Sequence, residues 1–164
     1  MNTDIRQLLE GVSTGSVSVE EAILALKRKP FEDIGYAKVD MHRKIRQGAA
    51  EVIYGAGKTP AQIAGIIETM EKNGQAAILI TRLSQEAAAS VDALHPLQYF
   101  KEARCGIIGP FPEPDGIGKI VVATGGTSDI PVAEEAALTA SVLGNEVQRL
   151  YDVGVAGLHR TLAH

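Results

Sequence analysis

Residues 120–137 read IVVATGGTSDIPVAEEAA. A β-branched apolar run stops at two glycines, passes through Thr-Ser-Asp and enters an alanine-rich helix at Pro131. The helix is predicted over about 130–143, with Gly144-Asn145 as its stop, and a second strand follows in EVQRLYDV. A strand, a helix and a strand in that order almost always make a right-handed crossover between parallel strands. A parallel sheet is normally covered on both faces and uses several strands. Two strands and one and a half helices cannot bury their apolar faces alone. Either another chain completes the sheet or a C-terminal part of a larger domain belongs here, and we expect the second. The closing piece, GVAGLHRTLAH, begins another helix and stops.

Upstream, short amphipathic helices are predicted at 4–11 and 18–29. The second opens with a capping box, Ser18 and Glu21, backed by Ala22, Ile23 and Leu26, and ends at Pro30. YAKVD and EVIYG read as short strands around the basic segment MHRKIRQG. KTPAQIAGIIETMEKNG carries helix punctuation: Thr59 at the cap, Pro60 in the first turn, Asn73-Gly74 beyond the last. AAILITR reads as a buried strand, and SQEAAASVDALH as a helix stopped by Pro96. The segment GPFPEPDGIGK, 109–119, holds three of the seven prolines and three glycines and is the best boundary in the chain. The expected fold class is α/β: a small N-terminal α/β domain over 1–110, then one strand–helix–strand unit of a parallel-sheet domain over 118–164.

The chain has 164 residues, 45% of them apolar and 22% charged, as a globular protein does. Aromatics are 4% and Trp is absent, so the core must rest on Ile, Leu, Val and Ala. A net charge of −4 argues against nucleic acid as the main partner. A small anion needs only a local cationic pocket. The single cysteine, Cys105, rules out an intrachain disulfide. No apolar run approaches the roughly 20 residues that span a bilayer. MNTDIRQLLEGV lacks the apolar segment of a signal peptide. The expected compartment is the cytoplasm, with no membrane partner.

Within the opening stretch, Gly125 and Gly126 let a backbone approach a ligand without Cβ interference. Thr127 and Ser128 offer hydroxyls, and the helix start offers unpaired N–H groups and partial positive charge. Asp129 either caps that helix or acts on a substrate proton, while Glu134 and Glu135 suit the positive end of the dipole. A capped turn serving only the fold has the same pattern, which lacks the spacing of a dinucleotide or Walker fingerprint. Asp152, Gly154 and Gly157 fall at the end of the second parallel strand, beside that turn. His159 fits a site or, more simply, a helix face. Asp40 and His42 share a face if the segment is a strand. His42, Arg43 and Arg46 suit phosphate or carboxylate, or else form a solvated basic helix start. Lys58 in YGAGKT and Arg82 at the end of ILITR stand where either a ligand contact or a plain turn falls. Cys105 has no evident base beside it and reads as a small buried hydrophobe.

Taken together, GYAKVDMHRKIRQGAAEVIYGAGKT, ILITR and VVATGGTSDIPVAEEAALTASVLGNEVQRLYDVGVAGLHR resemble the LarB family of pyridinium-biscarboxylic acid mononucleotide synthases. That family begins assembly of the nickel-pincer nucleotide of lactate racemase, and its second domain is similar to PurE-type aminoimidazole ribonucleotide carboxylases. The resemblance implies a flavodoxin-like parallel-sheet domain after residue 118. It also implies a carboxylating and hydrolysing enzyme whose substrates are nicotinic acid adenine dinucleotide and carbon dioxide or bicarbonate, and which releases AMP. A thiolate adding to the pyridinium ring makes it enamine-like, and only then can a ring carbon attack carbon dioxide. By this analogy Ser128 and Asp129 are catalytic. Gly125, Gly126, Thr127, Asp152, Gly154, Arg43, Arg46, Lys58 and Arg82 bind substrate. No metal ligand is assigned; Mg²⁺ is suggested by the phosphate chemistry alone, and no organic cofactor is expected. PurE-type domains form octamers, so a homo-oligomer is expected. In the family the nucleophilic cysteine and a Gly-Met-Glu-Gly-type loop lie in the C-terminal half of the PurE-like domain. This sequence stops short of them and Cys105 stands elsewhere, so the 164-residue chain alone is expected to lack ring carboxylation. Two other readings stand beside this one: a purine-pathway carboxylase or mutase, which does not need the N-terminal domain, and a non-catalytic nucleotide-binding module.

Overall fold

A computed structural model describes residues 5–26, 31–41, 43 and 49–163. The described residues fall into two compact units: one within Met1–Glu51 plus Gly65–Gln75, the other Val52–Ala64 plus Ala76–His164. The chain is mixed α/β, with six helices and three small sheets among the described residues.

The first unit begins with α1 (Ile5–Thr14) and α2 (Val19–Leu26). Ser18 and Glu21 form the expected capping box: Glu21 N–H donates to Ser18 Oγ at 3.1 Å and Ser18 N–H to Glu21 Oε2 at 2.9 Å. The Ser18 N–H, and then its hydroxyl donating to the same oxygen at 2.8 Å, hold the Glu21 carboxyl below its usual range. Strand β1 (Phe31–Asp33) pairs antiparallel with β2 (Lys38–Asp40), the last three residues of YAKVD. The pairing is closed by Ile34 N–H donating to Ala37 O and by Asp33 Oδ1 accepting from Gly35 N–H. β1 lies outside the sequence expectations because Phe-Glu-Asp shows no apolar alternation.

Helix α3 (Pro60–Lys72) has the start read from sequence, with Thr59 and Gln62 exchanging cap bonds; its residues fall in both units. The second unit holds a four-stranded sheet of order β3-β4-β6-β5, with β3 Ile53–Tyr54, β4 Ile78–Thr81, β5 Leu97–Phe100 and β6 Cys105–Ile108. β3 and β4 are parallel, as a strand–helix–strand unit through α3 requires; β4–β6 and β6–β5 are antiparallel. Helix α4 (Gln85–Asp92) is capped by Ser84, and the Asp92 carboxylate then accepts from Leu97 N–H at 2.9 Å, turning the chain into β5. That strand, begun directly behind Pro96, is a further element the sequence reading did not contain.

The strand–helix–strand unit forms as expected. β7 (Lys119–Ala123) and β8 (Glu146–Leu150) pair in parallel from Lys119↔Glu146 to Ala123↔Leu150, joined by α5 (Ile130–Val142). Helix α6 (Leu158–Leu162) follows. On β7, Ile120 and Val121 stay 40% and 56% exposed. Helix α5 is anchored differently: its Leu138 joins Leu79, Ala103, Cys105 and Ile107 in one buried cluster. The proline-rich segment is exposed throughout 109–119, and Asp115 N–H within it donates to Gly144 O behind α5. Leu138→Ala should cost about 2–5 kcal/mol of stability, read as a lower denaturant midpoint with unchanged slope. Among the described residues no helix is long and apolar enough to cross a membrane.

Candidate functional site

Two loops converge at the carboxyl ends of β7 and β8, the place where open parallel sheets take their ligands. The first runs from Thr124 to Asp129. Thr124 is buried and its N–H donates to Leu150 O, while Gly125, Thr127, Ser128 and Asp129 are exposed and Gly126 is half-buried. Thr127–Asp129 form one 3₁₀ turn leading into α5, whose first turn holds Pro131. Asp129 occupies the cap position, yet its carboxylate reaches backwards, Oδ2 accepting from Gly126 N–H at 3.2 Å. The carboxylate thus shapes the turn and stays open to solvent.

The second loop is 151–154. Asp152 N–H donates to Thr124 Oγ1 and Val153 N–H to Thr124 O, each at 3.0 Å, so the buried threonine binds the two loops together. Gly154 lies so close that a Cβ there would sit 2.3 Å from Gly125 O. Asp152 adopts a left-handed backbone, φ 58°. Its carboxylate receives Arg160 Nη1 at 2.6 Å, and Thr161 Oγ1 donates to Val153 O at 2.7 Å. Asp152, Gly154 and the Gly125–Asp129 turn are therefore adjacent, as their topology predicts. Arg160 was not among the candidates. The 3₁₀ turn Val155–Gly157 brings it back onto Asp152, and nothing in its sequence spacing announces that. His159 lies exposed on α6, the simpler of its two readings.

The other candidates make contacts of their own. Lys58 follows β3 and donates from Nζ to Tyr54 O at 2.8 Å. Arg82 leaves β4 with φ 54° and its Nε lies 3.1 Å from Glu135 Oε2. The sequence alternatives for Arg82 omitted this partner. Glu135 and Glu134 were expected to serve the helix dipole, but the first turn of α5 contains neither, and both are paired to arginines. Arg43 belongs to the first unit, its Nε buried without a hydrogen-bond partner. There Asp40 N–H donates to Glu51 Oε2 at 2.5 Å, and burial above all raises the Glu51 carboxyl. Arg46 and His42 lie outside the described residues, so the Asp40–His42 pairing does too.

Cys105 is 0% exposed, and its thiol points at Ala103 O, 3.4 Å away. Burial pushes it up to about 11, Glu135 adding to the rise and Arg82 opposing it. It is packing, as the sequence suggested. Alkylation at neutral pH should run about 10²-fold slower than for an exposed thiol, unless the fold is first opened with denaturant. Among the described residues no group of three His, Cys, Asp or Glu side chains converges to hold a metal ion.

Residues 31–110 match the family described as LarB/PurE-like N-terminal domain. Over those residues the chain carries a LarB/PurE-like N-terminal domain. The match takes in β1 to β6 and ends at Pro110, the first proline of the proline-rich segment. A wider similarity joins the chain to an uncharacterized protein of Methanocaldococcus jannaschii, 37% identical over 167 residues. That alignment takes in 98% of this chain and 65% of the relative, so the chain spans less than two thirds of that relative's length. The two open loops on β7 and β8 thus lie outside the LarB/PurE-like N-terminal match and inside the alignment with the archaeal relative.

Proposed function

We propose that the whole protein is a LarB-type synthase: it carboxylates the pyridinium ring of nicotinic acid adenine dinucleotide with carbon dioxide or bicarbonate and hydrolyses the phosphoanhydride, releasing AMP. The observation that carries the proposal is a juxtaposition. A LarB/PurE-like N-terminal domain is followed by a parallel strand pair whose carboxyl ends present an exposed Gly-Gly-Thr-Ser-Asp turn against Asp152 and Gly154.

In this reading the Thr127 and Ser128 hydroxyls and the amides of the turn hold the ring's own carboxylate, and Gly125 and Gly126 leave the ring room. Asp129 takes the proton lost from the ring carbon once that carbon has bonded to carbon dioxide. The electrons of the broken C–H bond restore the ring as the adding nucleophile departs. By the family resemblance the adding nucleophile is a thiolate, and the burial of Cys105 supports assigning it to a different sulfur. Arg160, Arg82 and Lys58 are the cations proposed to face the phosphates and carboxylates, and a phosphate-binding role for Arg43 and Arg46 is proposed from the family resemblance alone. Mg²⁺ carried on the substrate's phosphates is proposed to assist the anhydride step. We propose a cytoplasmic homo-oligomer for the whole protein. The test is Ser128→Ala with Asp129→Asn in the whole protein: loss of product is expected, and undiminished product would take the catalytic role from this turn.

A further inference from the structure

A cluster with no part in that chemistry ties the helix after the first loop to the strand before the second. Glu134 stands one helical turn beyond Ile130 on α5, and its side chain is only 18% exposed. Arg149 Nε donates to both of its oxygens, at 2.9 and 3.2 Å, and the Tyr151 hydroxyl donates to Oε1 at 2.6 Å. Arg149 lies in β8 and Tyr151 directly follows that strand. Two residues apart on an extended chain, they share a face and meet the same carboxylate. Backbone pairing of β7 with β8 fixes the strands, but it leaves a helix lying across them free to slide along its axis. A carboxylate held by two donors from the strand end stops that slide, and charge assistance makes the bonds strong.

What hangs from each side matters more than the cluster. The strand side continues at once into Asp152 and Gly154; the helix side begins at Ser128 and Asp129. We infer that Tyr151, Glu134 and Arg149 are positioning residues, setting the separation of the Ser128–Asp129 turn from the Asp152–Gly154 loop and acting on turnover only through that turn. The inference rests on the functional reading above for its effect on turnover, though not for its effect on the turn. Burial, and then the bond to Glu134, push the Tyr151 hydroxyl up to about 12, so it remains a donor at any working pH.

Tyr151→Phe removes the hydroxyl and keeps the ring. In the whole protein, amide exchange in the peptide 124–130 should speed up roughly fivefold or more, with the peptide 78–81 unchanged. With the dinucleotide and bicarbonate, kcat should fall about 10–100-fold and KM stay within about threefold. Added to Asp129→Asn, the substitution should cost no more than about twofold further, because the turn it positions has already lost its base. Unchanged exchange at 124–130, or losses that multiply in the double variant, would overturn the inference. A group serving stability alone gives that multiplying pattern. Should the Phe variant not fold, Arg149→Met, which keeps the apolar stem but has no N–H to give Glu134, carries the same expectations. If the unsubstituted protein makes no product while Tyr151→Phe still loosens 124–130, the functional reading falls and the positioning role stands.

Discussion

Asp129→Asn in the whole protein should lower formation of the carboxylated mononucleotide about 10²–10⁴-fold, the usual worth of a general base. Dinucleotide affinity should stay within about threefold, since an amide of the same shape loses little uniform binding. The variant isolates proton transfer because Asn has almost the same shape. Its side-chain oxygen can still accept from Gly126 N–H, the bond Asp129 Oδ2 makes at 3.2 Å, so the turn keeps its form. The amide cannot take a ring proton. Ser128→Ala removes one donor to a charged group and should cost about 10–100-fold. Product measured by mass spectrometry, beside affinity measured by calorimetry, separates these effects. A large loss of affinity with unchanged turnover of bound substrate would move Asp129 from catalysis to binding.

Gly154→Ala should disable the protein through a single methyl group. The backbone at Gly154, φ −61° and ψ 140°, suits any residue, so the harm comes from contact alone. The new Cβ would stand 2.3 Å from Gly125 O and 3.1 Å from Gly125 C, and both are main-chain atoms that cannot swing aside. One loop must shift away from the other. Overpacking of this kind costs about 1–3 kcal/mol, and a displacement near 1 Å at a reacting centre costs on the order of 10²-fold in rate. Gly126→Ala is the paired control, because a Cβ there meets nothing within 4 Å. Its φ of −147° is also open to alanine, so stability should change by no more than about 0.5 kcal/mol. Thermal melts of the two variants decide the matter, and equal melting temperatures would contradict the close approach of the loops.

Much of this arrangement is legible before any coordinates. Parallel strands joined by one helix must bring their carboxyl ends together, so the Gly125–Asp129 turn and the Asp152–Gly154 loop meet for topological reasons. Ser18 with Glu21, and Thr59 with Pro60, announce helix starts because capping is local chemistry. The β1–β2 pair and the mixed sheet are different. β1 has three residues and β5 four, too short for alternation to register, and the antiparallel direction of β6 depends on where β4 has already been placed. The charged pairs are the least legible. Arg160 with Asp152, Arg149 with Glu134 and Arg82 with Glu135 join residues 8, 15 and 53 positions apart. Only the packing of α5 and α6 decides which carboxylate each arginine finds. Glu134 and Glu135 show the hazard: a dipole argument explains acidic residues near a helix start, yet tertiary partners had the stronger claim.

The most direct measurement follows isotopically labelled bicarbonate through the whole protein incubated with nicotinic acid adenine dinucleotide. The account predicts one labelled carboxylate on the pyridinium mononucleotide and AMP released in equal amount, both abolished together in the Ser128→Ala, Asp129→Asn double variant. Label carried instead onto an aminoimidazole ribonucleotide supplied in the same mixture, or product formed undiminished by the double variant, would contradict it.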